Sequence, residues 1–137
     1  MMNATVVWSA WLVRYLRRWW TLAFRLPVGG ALEFVSVAAA TAVVGYDLLS
    51  GSRMRQSNLD RTLVAAGLAG SAAAGDTVVE LYVGTTLVAV LYNLATGFPN
   101  RDSLMRIGAV VPAGVEVVAR VTDAPATNAI NLVLDFA

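Results

Sequence analysis

From residue 32 onward the apolar positions of this chain repeat with a period near two, the spacing that puts alternate side chains on opposite faces of a strand. Leu32-Glu33-Phe34-Val35-Ser36-Val37-Ala38 alternates weakly, and residues 41–49 continue extended through Val43, Val44 and Tyr46, with a helix over 38–49 as the alternative. Residues 62–68 form a short apolar strand. Residues 77–83 and 86–92 flank Gly84-Thr85, a hairpin signal with Gly84 suited to the first position of a II′ turn. Residues 104–111 and 115–121 are joined by Pro112-Ala113-Gly114, spaced for a type I turn with Pro second and Gly fourth. In the second of these strands Val115, Val117, Ala119 and Val121 share one face, with Glu116 and Arg120 on the other. In the last run, 129–136, Ile130, Leu132, Leu134 and Phe136 point one way, with Asn131 and Asp135 opposite. Polar or small-residue connections at 51–58, 70–76, 93–102 and 123–128 separate these runs. The pattern is that of an antiparallel sandwich or barrel, and we read it as an all-β domain built as an antiparallel eight-stranded sandwich.

The first thirty residues obey a different period. At about 100° per residue, Trp8, Trp11, Leu12, Tyr15, Trp19, Leu22 and Leu26 fall in one arc of a helix. Arg14, Arg17, Arg18 and Arg25 fall in another, and Pro27 with Gly29-Gly30 ends the run. This predicts an N-terminal amphipathic α-helix of the kind that lies in a bilayer interface. Trp8, Trp11, Tyr15, Trp19 and Trp20 supply the buried side, and the four Arg meet anionic headgroups. Docking of the aromatic face on a neighbouring subunit and contact with nucleic acid are the alternatives. A transmembrane span is disfavoured because Arg14, Arg17 and Arg18 interrupt the apolar run. A secretory signal is disfavoured because the charge follows the apolar segment. The expected organisation is therefore an anchor helix and linker over 1–30 and a β-sandwich over 31–137.

Charge and composition sharpen this division. All four Trp and four of the ten Arg precede residue 26, and no acidic residue precedes Glu33. A +4 segment thus joins a body in which six Arg face nine acids, a formal −3. Hydrophobic residues make up 58% of the chain and the mean hydropathy is +0.65. Both are high for a free monomer, and point to membrane contact or burial against other subunits. A competing reading makes residues 33–49, 62–74 and 78–96 membrane helices, at the cost of placing Glu33, Asp47 and Glu80 in or beside lipid.

Candidate chemistry is sparse. The chain has no Cys, His or Lys, which excludes thiolate, imidazole and Schiff-base catalysis and the usual zinc ligands. Carboxylates remain: Asp76, Glu80, Asp102, Glu116, Asp123 and Asp135 sit in turns or on strand faces turned to solvent. An oxygen site for a hard cation at Asp123 and Asn128 matches no loop motif. Arg53, Arg55 and Arg61, with Asp60 beside them, form a cluster suited to phosphate or to a neighbouring subunit's acids. Tyr82 and Tyr92 on the hairpin offer a sugar-stacking platform or cross-strand packing. Gly67-Leu68-Ala69-Gly70 reads as small residues in a tight bend. The expectation is a non-enzymatic protein with no cofactor, no metal and no small-molecule substrate.

Three stretches carry a resemblance: Asp76-Thr77-Val78-Val79-Glu80-Leu81-Tyr82-Val83-Gly84, Val110-Val111-Pro112-Ala113-Gly114-Val115 and Asp123-Ala124-Pro125-Ala126-Thr127-Asn128 before the last strand. Their order of strands and turns, over somewhat under half the chain, resembles single jelly-roll viral structural proteins. The resemblance implies a jelly-roll-like sandwich located in a virion as a capsid, vertex or spike subunit. Its partners would be copies of itself and other capsid proteins. It also implies an N-terminal segment reaching an internal membrane. Genome-binding arms of such proteins are longer and richer in Arg and Lys, without this density of Trp. The alternatives are a membrane-associated cellular protein with a small β-domain and a glycan-binding β-sandwich module.

Overall fold

Alternating apolar residues form strands wherever a second sheet is present to cover them, as seen in a computed structural model that describes residues 32–94 and 97–137. Seven strands result: β1 (Leu32–Val37), β2 (Arg61–Gly70), β3 (Val78–Val83), β4 (Thr86–Tyr92), β5 (Met105–Val111), β6 (Val117–Asp123) and β7 (Ile130–Phe136). They build a four-stranded sheet ordered β1-β7-β2-β5 and a three-stranded sheet ordered β4-β3-β6. Every pairing is antiparallel. The described residues are thus all-β, with one 3-10 turn at Arg101–Ser103 as their only helical piece. The amphipathic helix expected over residues 1–30, with its Trp and Arg faces, lies outside the described residues.

The core is the layer between the two inner faces. Val117, Ala119 and Val121 of β6 are fully buried, as are Ile130, Leu132 and Leu134 of β7, the faces that alternation assigned inward. Leu63, Ala66 and Leu68 of β2 and Val79 and Leu81 of β3 complete the same cluster. Each such aliphatic side chain contributes about 1.5–3 kcal/mol on burial, so this layer dominates the stability of the sandwich. The β3–β4 hairpin turns at Gly84-Thr85 as expected, with Gly84 at φ +60, the sign a II′ turn needs there.

Two local expectations are corrected. The eighth strand, over residues 41–49, is absent. Val43 and Val44 favour strand in isolation, but they are 55% and 66% exposed and have no sheet behind them. The chain turns at 38–42, where Thr41 N–H and Ala42 N–H both donate to Ala38 C=O, and again at Gly45, φ +87. Only one isolated bridge, Asp47↔Arg120, remains of the strand. The segment still satisfies the outer edge of β6. Gly45 N–H donates to Val121 C=O, Val121 N–H to Tyr46 C=O, and Leu48 N–H to Ala119 C=O. Ala119 N–H is taken by the Asp47 carboxylate at 2.9 Å, and Val117 N–H by Arg55 C=O at 2.7 Å. Ala42, Leu48 and Leu49 meanwhile bury themselves against the core. The turn after β5 is also shifted by one residue. Val115 N–H closes it onto Pro112 C=O, so Gly114 (φ +80) is its third residue, where a type II turn needs glycine.

A third correction concerns Gly67-Leu68-Ala69-Gly70, which is the second half of β2 rather than a bend. Its small outward residues make room for the β4–β5 connection, which crosses the outer face of the four-stranded sheet. A Cβ on Gly67 would stand 2.5 Å from Leu104 Cδ2 and 3.0 Å from Pro99 Cβ. Leu94 N–H donates to Leu68 C=O, and Asn131 Nδ2 to Gly97 C=O at 2.7 Å. Asn131 and Val133, on the face of β7 that alternation assigned to solvent, are consequently 7% and 8% exposed. The membrane-helix reading of 33–49, 62–74 and 78–96 is overturned wherever these stretches are described, because they form strands and turns. No helix among the described residues is long and apolar enough to cross a membrane.

Gly70 and Gly45 separate two costs. Gly70 has φ +114, and a Cβ there would lie 2.2 Å from the carbonyl oxygen of Ala129. Gly45 is left-handed with open space around it. Gly45→Ala is expected to cost about 1 kcal/mol of backbone strain, and Gly70→Ala at least about 3 kcal/mol. Urea denaturation, read at unchanged slope, measures both.

Candidate interaction surface

Of the acids that a hydrolytic site would require, Asp76, Glu80 and Glu116 are each engaged with separate partners. Asp76 belongs to a hydrogen-bonded knot at the end of β2. Its carboxylate accepts from Ser71 Oγ at 2.9 Å, from Ala72 N–H and Ala73 N–H at 3.2 and 3.0 Å, and from Thr77 Oγ1 at 3.1 Å. Asn93, 1% exposed, completes the knot. Its Oδ1 accepts from Thr77 N–H, and its Nδ2 donates to Gly70 C=O, Ala73 C=O and Asp76 Oδ1. Ser71 adopts φ +59 so that its hydroxyl can also accept from Ala126 N–H at 2.9 Å. Partial burial pushes the Asp76 carboxyl upward, but the donors from Ala73, Ser71, Thr77 and Ala72 outweigh it and hold the group below its ordinary value. Asn128, considered with Asp123 for a cation, spends its Nδ2 on Ser71 C=O. No group of three or more metal-ligating side chains occurs among the described residues.

The three central arginines do not converge on a common ligand. Arg55 lies between Glu116, at 3.2 Å, and Asp47, at 3.6 Å. Arg61 stacks its guanidinium 4.2 Å from the centre of the Phe136 ring and donates Nη2 to Met54 C=O. Burial lowers the proton affinity of Arg61, and Glu33 partly restores it. Arg53 is exposed. Asp60, their neighbour in sequence, accepts instead from Ala113 N–H at 2.8 Å. Arg55 and Arg61 therefore tie the 51–60 loop to β6 and to the end of β7. Nothing in the local spacing signals this, since Glu116 is 61 residues from Arg55.

Tyr82 and Tyr92 are likewise kept apart. Tyr92 pairs with Val78 at one end of the β3–β4 ladder, and Tyr82 with Leu87 near the turn. The Tyr82 hydroxyl donates to Glu80, and Arg120 lies 5.3 Å from the ring centre. The hydrogen bond to Glu80 is the main reason the Tyr82 phenol is pushed up, with desolvation and the Glu80 charge adding to it and Arg120 opposing. Tyr92 is 60% exposed. A single aromatic platform is not formed.

What the surface does present is apolar. Phe34, Leu59, Leu87, Leu94, Phe98 and Val110 are all exposed. Phe34 and Phe98 meet at 4.9 Å between ring centres, an aromatic pair lying on the outer face of the four-stranded sheet. Beneath the β4–β5 connection lies a hollow of about 500 Å³ reached by Arg101, Arg106 and Asp135. Between the β4 and β5 sides, Leu91, Tyr92, Leu94 and Met105 line an apolar groove of about 200 Å³. The larger hollow has Asp102 and Asp135 in one lining, and the apolar groove has no carboxylate. Exposed apolar area beside free strand edges can associate with another surface. The residues Trp8, Trp11, Arg14, Tyr15, Arg17, Arg18, Trp19, Trp20 and Arg25, expected to anchor the chain, lie outside the described residues.

Two side chains that sequence patterning did not single out, Asp47 and Asn93, carry most of the loop architecture. Asp47→Ala leaves Ala119 N–H and Leu49 N–H without their acceptor and is expected to cost about 1–3 kcal/mol. Asp47→Asn keeps an oxygen there and should cost less; thermal unfolding of both variants checks the order. For Asp76 the folded carboxyl titrates below the unfolded one. Its contribution is therefore complete above the unfolded value of about 3.9 and is lost as pH falls through the folded value. Asp76→Asn should lower stability at neutral pH and flatten its dependence below pH of about 4, as denaturation across an acid series would show. No protein-family model matches the chain, and no curated protein sequence matches it.

Proposed function

We propose that this chain is a non-enzymatic structural subunit of a virion. Its jelly-roll sandwich packs with copies of itself and other capsid proteins, and its N-terminal segment fixes it to a membrane or to a neighbouring subunit. The observation that supports the jelly-roll part of this reading is the order of strand pairs. A jelly roll is an antiparallel hairpin of eight segments, pairing first with eighth, second with seventh, third with sixth and fourth with fifth, rolled into two layers. With residues 45–48 taken as the second segment, the four hairpin pairs have counterparts here. They are β1 with β7, residues 45–48 with β6, β2 with β5, and β3 with β4. Rolling adds third with eighth and fourth with seventh, which correspond to β2 with β7 and β3 with β6.

Jelly rolls also serve as lectins and cupins, so the fold alone does not choose a function. The side chains favour assembly. A chain without His or Cys offers a metal neither imidazole nor thiolate ligands. Tyr82 and Tyr92, the aromatic pair for a glycan, stand at opposite ends of their ladder. Exposed Phe34, Leu59, Phe98 and Val110, with 58% hydrophobic content overall, fit a subunit that covers much of its surface with neighbours. In the N-terminal segment, Trp8, Trp11, Trp19 and Trp20 supply interfacial burial, and Arg14, Arg17, Arg18 and Arg25 supply charge for anionic headgroups.

Light scattering on the purified full chain is expected to give large oligomers at micromolar concentration, and a monodisperse monomer would reject the assembly reading. Vesicles containing phosphatidylserine should bind the chain. Replacing Trp8, Trp11, Trp19 and Trp20 together by Ala should weaken that binding by about tenfold or more. If binding is unchanged, the segment does not contact lipid. If instead the variant loses its oligomers, the segment contacts a neighbouring subunit.

A further inference from the structure

The two sheets have four edges; among the described residues one is capped and two carry a bulge. β6 is capped by residues 45–55, whose backbone and Asp47 side chain take up its outward groups. β4 carries an extra residue opposite β3, where the register passes from Leu81↔Ala89 to Tyr82↔Leu87 and skips Val88. β5 carries another, where the register passes from Leu63↔Ala109 to Ala65↔Arg106, and Gly108 within it takes φ +69. Bulges and left-handed residues twist an edge so that a further strand aligns with it poorly, and proteins place them where pairing would be harmful. β1 has none of these. It pairs with β7 residue for residue from Leu32↔Asp135 to Val37↔Ile130. It contains no Pro or Gly and one charge, Glu33. No described residue hydrogen-bonds to its outer edge.

We infer that the β1 edge is the primary self-association surface of this protein, pairing antiparallel with β1 of a second copy about a two-fold axis through Phe34. The inference rests on the assembly reading and names the contact that starts it. A strand edge offers alternating N–H and C=O groups, which a two-fold rotation makes complementary to themselves. The register centred on Phe34 keeps outward residues opposite outward residues. Phe34 meets the second copy's Phe34, Leu32 meets Ser36, and Glu33 meets Val35 rather than another Glu33. Phe34 is 47% exposed and already touches Phe98 of its own chain at 4.9 Å. Pairing therefore gathers four rings at the axis, the kind of aromatic centre that dominates interface energetics. It also joins the two four-stranded sheets into one sheet of eight strands.

Sedimentation of the full chain over a concentration series tests this. Phe34→Lys, at a position 47% exposed, is expected to raise the dissociation constant of the smallest oligomer at least about thirtyfold. Leu87→Lys on β4 and Val110→Lys on β5 should leave it unchanged. A second measurement does not depend on the Lys variant. The chain has no Cys, so Phe34→Cys places a single thiol on the proposed axis. Mild oxidation should then give a disulfide-linked dimer, whereas Leu87→Cys should not. If oligomers persist in Phe34→Lys, or dissociate in Leu87→Lys or Val110→Lys, the β1 contact is wrong while assembly stands. Oligomers of Phe34→Cys that oxidation leaves without a cross-link overturn the β1 contact in the same way. A wild-type chain that is monomeric at every concentration overturns both readings.

Discussion

Backbone N–H and C=O groups next to an apolar core must find partners, because leaving one buried and unpaired costs about 1–3 kcal/mol. In this sandwich the requirement is hardest to meet along β6. Its inner face, Val117, Ala119 and Val121, is fully buried, and it is the last strand of a three-stranded sheet. Residues 45–55 resolve the problem without becoming a strand. Backbone groups of Gly45, Tyr46, Leu48 and Arg55 serve part of the edge. The Asp47 carboxylate serves Ala119. The same segment sends Leu48 and Leu49 into the core, so edge satisfaction and side closure come from one stretch of chain. Arg55 then fastens it by reaching both Asp47 and Glu116. These ion pairs are partly exposed and worth little individually; their effect is to hold a loop whose backbone is already bonded along the edge.

Sequence patterning succeeded where a residue's environment is set by its own strand. The inward faces of β6 and β7, the all-β class and the Gly84-Thr85 hairpin were legible because alternation and turn chemistry are local. It failed where a distant segment decides. Val43, Val44 and Tyr46 carry strand propensity, yet no sheet lies behind Val43 and Val44, and the bonds to β6 are made by backbone groups of Gly45, Tyr46, Leu48 and Arg55 together with the Asp47 side chain. Asn131 reads as solvent-facing until the β4–β5 connection is laid over it, and Gly67 reads as a bend until Pro99 and Leu104 require its missing Cβ. The Arg53, Arg55 and Arg61 cluster is similar: the partners that occupy Arg55 come from elsewhere in the chain. The Trp- and Arg-rich segment belongs to a separate question, since its expected helix lies outside the described residues.

The functional reading depends on how the polar and apolar groups are distributed. Asp47, Asp60, Asp76, Glu80, Glu116, Arg55 and Arg61 are engaged one by one with backbone donors, loop carbonyls, a neighbouring hydroxyl or each other. Exposed aliphatic and aromatic side chains are left facing outward. That distribution suits a building block, whose polar groups stabilise its own loops and whose apolar groups are available to neighbours.

The position of β7 between β1 and β2 has a consequence for how the sandwich is made. β7 follows the other six described strands along the chain, so the four-stranded sheet remains in two separate pieces until it arrives. The three-stranded sheet needs nothing beyond β6 and can close earlier. Folding during synthesis therefore passes through a stage in which one layer is complete and the other lacks one of its two inner strands. Pairings between such distant segments form slowly, and an incomplete layer exposes apolar surface while it waits. For this topology, the arrival of β7 sets the time at which the chain can first shelter its own interior.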